Sequence, residues 1–138
     1  MTADEARDAI LAVFKAAWDT TSVPANVVYS DKAGGEPFGA SAWARVVLRH
    51  ATGRQSSLSD AVGQRRWTSV GTLWVQVFAP VGDGMVTAYG LATVVLNAYR
   101  AAPPGAVWYR NPRLQETGSS GNFEQVNILV DFSYDDVR

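Results

Sequence analysis

The 138 residues are 47% hydrophobic and 18% charged, with a single histidine, no cysteine and a formal net charge of −1. That length fits one domain spanning 1–138 that buries about two-thirds of its unfolded surface, enough for a core without metal or disulfide staples. Without cysteine there is no disulfide framework, thiolate zinc site or thiol nucleophile, and one histidine cannot build a two-histidine metal centre. The expectation is a protein that is not an enzyme and takes no cofactor.

Ala6, Ala9, Ile10, Val13, Phe14 and Ala17 recur at helical spacing, with Asp4, Glu5 and Asp8 suited to a helix N-terminus, and predict a helix over 4–19. A short strand, 26–29, precedes a loop from Ser30 to Ser41 that carries Gly34, Gly35 and Pro37. Trp43 to Ala51 alternates, Ala44, Val46 and Leu48 against Arg45 and Arg49, as a half-buried strand does. Residues 52–64 are polar without either period and predict a loop.

Arg65 to Ala79 predicts a long strand with Trp67, Leu73, Val75 and Val77 on one face and Trp74 on the other, where it is exposed in a monomer. Gly71 marks a bulge or bend in it. After a break at 80–84, a helix capped by Asp83 runs over about 85–101, with Ala88, Leu91, Ala92, Val95, Ala98 and Tyr99 as its buried stripe. Strands at 107–116 and 123–134 flank a turn over 117–122, and the second alternates through Val126, Ile128, Val130, Phe132 and Tyr134. The order α-β-β-β-α-β-β implies an α+β fold: a mixed, mainly antiparallel sheet with two helices on one face and a wet opposite face.

The small net charge conceals segregation. Residues 1–36 carry −3, residues 45–66 carry +4, residues 67–115 carry +2 and residues 116–138 carry −4. Ten of the twelve basic residues are arginine, whose planar fork suits carboxylates on a partner surface. A nucleic-acid binder more often has a global basic excess. The N-terminus lacks the features of a signal peptide, and no apolar run nears the roughly 20 residues of a membrane span, so a cytoplasmic, membrane-free setting is expected.

Candidate chemistry is sparse. His50 reads as a surface histidine at a strand end rather than a general base, because no triad accompanies it. Asp135-Asp136 reads as a solvated tail, since neighbouring strand residues point to opposite faces and cannot converge on a cation. Gly82-Asp83-Gly84 lacks the glycine spacing and lysine of a phosphate loop, and Gly118-Ser119-Ser120-Gly121 reads as a hairpin turn, not a nucleophile elbow. Arg54, Arg65 and Arg66 beside Trp67 form the strongest polar candidate, a protein contact or a nucleic-acid patch.

The run Arg65-Arg66-Trp67-Thr68-Ser69-Val70-Gly71-Thr72-Leu73-Trp74-Val75-Gln76-Val77 and the break Phe78-Ala79-Pro80-Val81-Gly82-Asp83-Gly84 that follows resemble the central strand and helix entry of bacteriophage tail terminator proteins. The stretch from Gly121 to Asp136, with Phe132-Ser133-Tyr134-Asp135-Asp136, is similar to that family's last strand. Many members of that family carry a basic residue two positions before the glycine, where this chain has Ser69. The resemblance implies a homo-oligomeric ring, a hexamer, at the head-proximal end of the virion tail. Such a ring caps the major tail tube protein, stops its growth and receives a head-completion or stopper protein, while DNA passes through the lumen without sequence readout. A head-tail connector or stopper is the alternative reading, with a small nucleic-acid-binding module behind it. If the chain forms such a ring, Arg54, Arg65, Arg66, Trp67 and Trp74 are expected at subunit or tube contacts, with Arg65 and Arg66 meeting Asp131, Asp135 or Asp136 of the next subunit.

Overall fold

A computed structural model describes residues 1–29, 41–82, 85–103, 105–120 and 123–138. The elements are α1 (Ala3–Trp18), β1 (Val27–Tyr29), β2 (Trp43–Gln55), β3 (Arg66–Pro80), α2 (Val86–Arg100), β4 (Val107–Ser120) and β5 (Phe123–Val137). They form the expected α+β architecture, one five-stranded sheet in the order β1-β2-β3-β5-β4. Among the described strands only β1 runs parallel to its neighbour.

α1 starts where Thr2 and Glu5 close a capping box, the Glu5 amide donating to Thr2 Oγ1 at 3.2 Å and the Thr2 amide to Glu5 Oε2 at 2.9 Å. Its stripe Ala6, Ile10, Phe14 and Trp18 is buried, and the Trp18 indole donates to the Val23 carbonyl at 2.9 Å, folding the chain back towards β1. α2 buries Ala88, Leu91, Ala92, Val95, Leu96 and Tyr99. The N-cap position of α2 is Met85, in a left-handed conformation with φ 72° and no side-chain cap bond. The expected cap, Asp83, lies outside the described residues, as does most of the loop from Ser30.

The two helices pack on one another and cover one sheet face. The hydroxyl of buried Tyr99 on α2 donates to the Ile10 carbonyl on α1 at 2.7 Å. Beneath them lie Ala44, Val46, Leu73, Val75, Val77, Val126, Ile128, Val130, Phe132 and Tyr134, the inward residues of β2, β3 and β5. Strict alternation places them there, because side chains two apart share a face.

The strands are longer than the sequence alone implies. β2 continues to Gln55, so residues 52–55 pair with Val70, Ser69, Thr68 and Trp67, and the connector shrinks to 56–65. Polar Thr52-Gly53-Arg54-Gln55 has no hydrophobic period, yet cross-strand backbone bonding to β3 suffices to hold it as strand. β4 likewise runs through Gly118 to Ser120, residues expected in a turn. β5 runs on to Val137, so Asp135 and Asp136 are ladder residues opposite Thr68 and Trp67, not a free tail. Among the described residues no helix is long and apolar enough to cross a membrane.

Candidate functional site

The sheet face turned away from the helices is the candidate site. Strand register arranges it in rows across β2, β3, β5 and β4. Val47, Trp74, Leu129 and Arg113 make one row; Arg49, Thr72, Asp131 and Arg110 the next; Thr52, Val70, Ser133 and Trp108 the third. Arg54, Thr68 and Asp135 follow. Rows with an exposed tryptophan thus alternate with rows that hold a carboxylate. Trp74 is 43% exposed and Trp108 46%, with Val70 also exposed in the row of Trp108.

Six arginines, Arg45, Arg49, Arg54, Arg66, Arg110 and Arg113, share this face with two carboxylates, Asp131 and Asp135. Both carboxylates are engaged within the subunit. Asp131 accepts from Thr72 Oγ1 at 3.2 Å and pairs with Arg113 at 3.4 Å. Asp135 accepts from Thr68 Oγ1 at 2.6 Å and pairs with Arg66 at 3.7 Å. Arg45 lies over the Trp43 ring at 5.3 Å, and Trp43 in turn stacks on Phe78 at 4.2 Å. Arg49, Arg54 and Arg110 have no ion-pair partner among the described residues. Arg54 and Arg110 line a hollow of about 310 Å³ together with Thr68, Thr72, Asp131 and Ser133. Guanidinium groups at the rim of such a hollow offer paired donors to a carboxylate.

The residues expected at contacts therefore divide. Arg54, Arg66, Trp74, Asp131 and Asp135 come together on the open face. Trp67 and Asp136 point to the helix side, opposite one another on β3 and β5. Trp67 shares its face with Leu73, Val75 and Val77 but lies beyond the buried core and is 39% exposed. Asp136 binds the N-terminal ammonium at 3.2 Å and Arg138 at 2.8 Å. Arg138 foremost, with the ammonium adding to it, holds the Asp136 carboxyl below its ordinary value. Arg65 precedes β3 and donates through Nε to the Asp60 carbonyl at 3.1 Å, tying the 56–65 connector.

The expected meeting of Arg66 with Asp135 thus occurs within one chain, because β3 and β5 are neighbours in the sheet. His50 is exposed, as expected, but lies within β2 rather than at its end, its Nε2 2.7 Å from the Tyr134 hydroxyl and its ring edge-on to Phe132. Trp108, Arg49 and Arg110 join the expected residues on the open face. Residues 107–110 alternate regularly, Val107 and Tyr109 inward and Trp108 and Arg110 exposed, but the strand they lie beside is fixed only by the folded sheet; beyond them β4 has irregularities between Arg110 and Arg113 and between Glu116 and Gly118. Those irregularities and Pro112 also blunt the β4 edge against pairing with another strand. At the far end of the β2–β3 hairpin, Leu58 and Val62 are almost wholly exposed.

The sequence matches no protein-family model and no curated protein. Solved structures do share its fold: one chain superposes with a TM-score of 0.69 at 19% identity, over 100% of this chain and 99% of that one. At that identity the likeness defines the architecture alone.

Proposed function

We propose that the protein is a structural component of a phage-type tail, a terminator whose ring caps the tail tube, ends its polymerisation and offers its other side to the head-completion proteins. The observation that carries this reading is the open sheet face. Exposed tryptophans set among arginines with no ion-pair partner among the described residues are the composition of protein-contact hot spots, which are enriched in Trp and Arg. Support comes also from the element order and from the resemblance of β3, the helix entry and β5 to tail terminators. The exposed Leu58 and Val62 at the hairpin tip give a tube-facing element something apolar to bury.

Electron microscopy of particles assembled without this protein is the decisive experiment. Over-long, headless tails are the expected result, and tails of normal length overturn the reading. DNA-filled heads that leak, beside normal tails, point instead to the connector or stopper.

A further inference from the structure

We infer that the open sheet face takes the helix layer of a second copy of this chain, head to tail, with the acidic first turns of α1 entering the arginine-lined hollow. The inference deepens the ring reading and rests on it for its biological setting, though the contact itself is a property of the chain. The subunit is electrically polar across its thickness. One side bears Arg49, Arg54 and Arg110, which have no carboxylate partner among the described residues. On the other, Asp4 and Asp8 are exposed on α1, Asp8 lying 3.7 Å from Arg7. Opposite charge on opposite faces favours stacking in one direction and disfavours sheet against sheet, where like charges meet.

The tryptophans require a different complement, and α2 supplies it next to α1. Val86, Gly90, Thr93 and Asn97 follow one another at helical spacing along the exposed side of α2, and no charged residue occurs from 86 to 99. Gly90 is the informative residue. It sits mid-helix and exposed, and a Cβ built on it touches nothing within 4 Å. Nothing inside the subunit therefore needs its missing side chain, although glycine there costs about 1 kcal/mol of helix stability relative to alanine. A close approach from outside gives the position a use: the flat indoles of Trp74 and Trp108 lie on the uncharged strip while the arginines reach the α1 carboxylates. A DNA duplex satisfies the arginines but leaves the exposed tryptophans and the Gly90 strip without a role.

Because the chain has no cysteine, single introduced thiols report the contact cleanly. Asp8→Cys and Arg110→Cys, mixed as purified proteins at high concentration and oxidised, are expected to give the mixed disulfide as the dominant product, with neither variant dimerising comparably alone. Arg110→Cys dimerising by itself means sheet-to-sheet contact and overturns the inference; so does the absence of the mixed product. Gly90→Phe in the Asp8→Cys protein is expected to abolish the cross-link with the far-ultraviolet spectrum unchanged, and full cross-linking of that variant also overturns it. Salt-sensitive binding of a random-sequence duplex through Arg49 and Arg110, without the cross-link, assigns the face to nucleic acid instead. Over-long tails without the cross-link refute this contact and leave the terminator reading standing; the cross-link with normal tails does the reverse.

Discussion

The ring of Phe132 on β5 occupies the place where a side chain at Gly71 on β3 would be. A Cβ at Gly71 would lie 2.5 Å from Phe132 Cζ and closer still to the Arg49 carbonyl on β2. The ladder opposite is irregular there, with the register of β2 shifting between His50 and Thr52. Glycine lets the buried Phe132 lie flat across the strand, and His50 packs edge-on against it.

Gly71→Ala is therefore expected to destabilise the protein by about 1–3 kcal/mol, the usual cost of overpacking a core. Gly90→Ala, with open space around its Cβ, is expected to stabilise the isolated subunit by up to about 1 kcal/mol through helix propensity. Urea denaturation midpoints of the two variants should move in opposite directions.

The Tyr99 hydroxyl joins the helices from inside the core, and desolvation foremost pushes its ionisation far above the ordinary value of 10.0. In the unfolded chain the phenol ionises near its normal value while the native state retains the proton, so stability falls as pH rises above about 10. Tyr99→Phe is expected to cost about 0.5–1.5 kcal/mol at neutral pH for the lost bond to Ile10. It should also flatten the alkaline decline, a change visible in thermal melts across pH 8 to 11.

Asp136 ties the end of β5 to the N-terminus and to Arg138. Its carboxyl is depressed, so the tie is complete above the normal carboxylate range of about 4 and weakens as pH falls through the lowered native value. Asp136→Asn is expected to speed amide exchange in the first turn of α1 and the last residues of β5 at neutral pH. Wild type should approach that behaviour only in acid.

Leu58 and Val62 bury almost nothing within the subunit. Changing both to serine is expected to leave unfolding free energy within about 0.5 kcal/mol of wild type, as exposed substitutions do. If the tip contacts the tube, the same variant should yield over-long tails under the electron microscope.

Local pattern in the sequence determined a good deal by itself: two amphipathic helices, five strands in order, and the inward faces of β3 and β5, because periods of 3.6 and 2 are imposed by the backbone. Trp74 was also legible as exposed, from its parity against Leu73 and Val75. Pairing decided the rest. Polar residues 52–55 and 117–120 became strand because a neighbouring strand accepts their backbone groups, which no window of residue types reveals. The charge runs of +4 and −4 looked like complementary surfaces of separate subunits, yet β3 beside β5 joins Arg66 to Asp135 inside one chain. Which arginines remain unpaired, and that they share a face with two tryptophans, depends on strand order and on the bulges in β4, relations between segments distant in sequence that only the folded sheet creates.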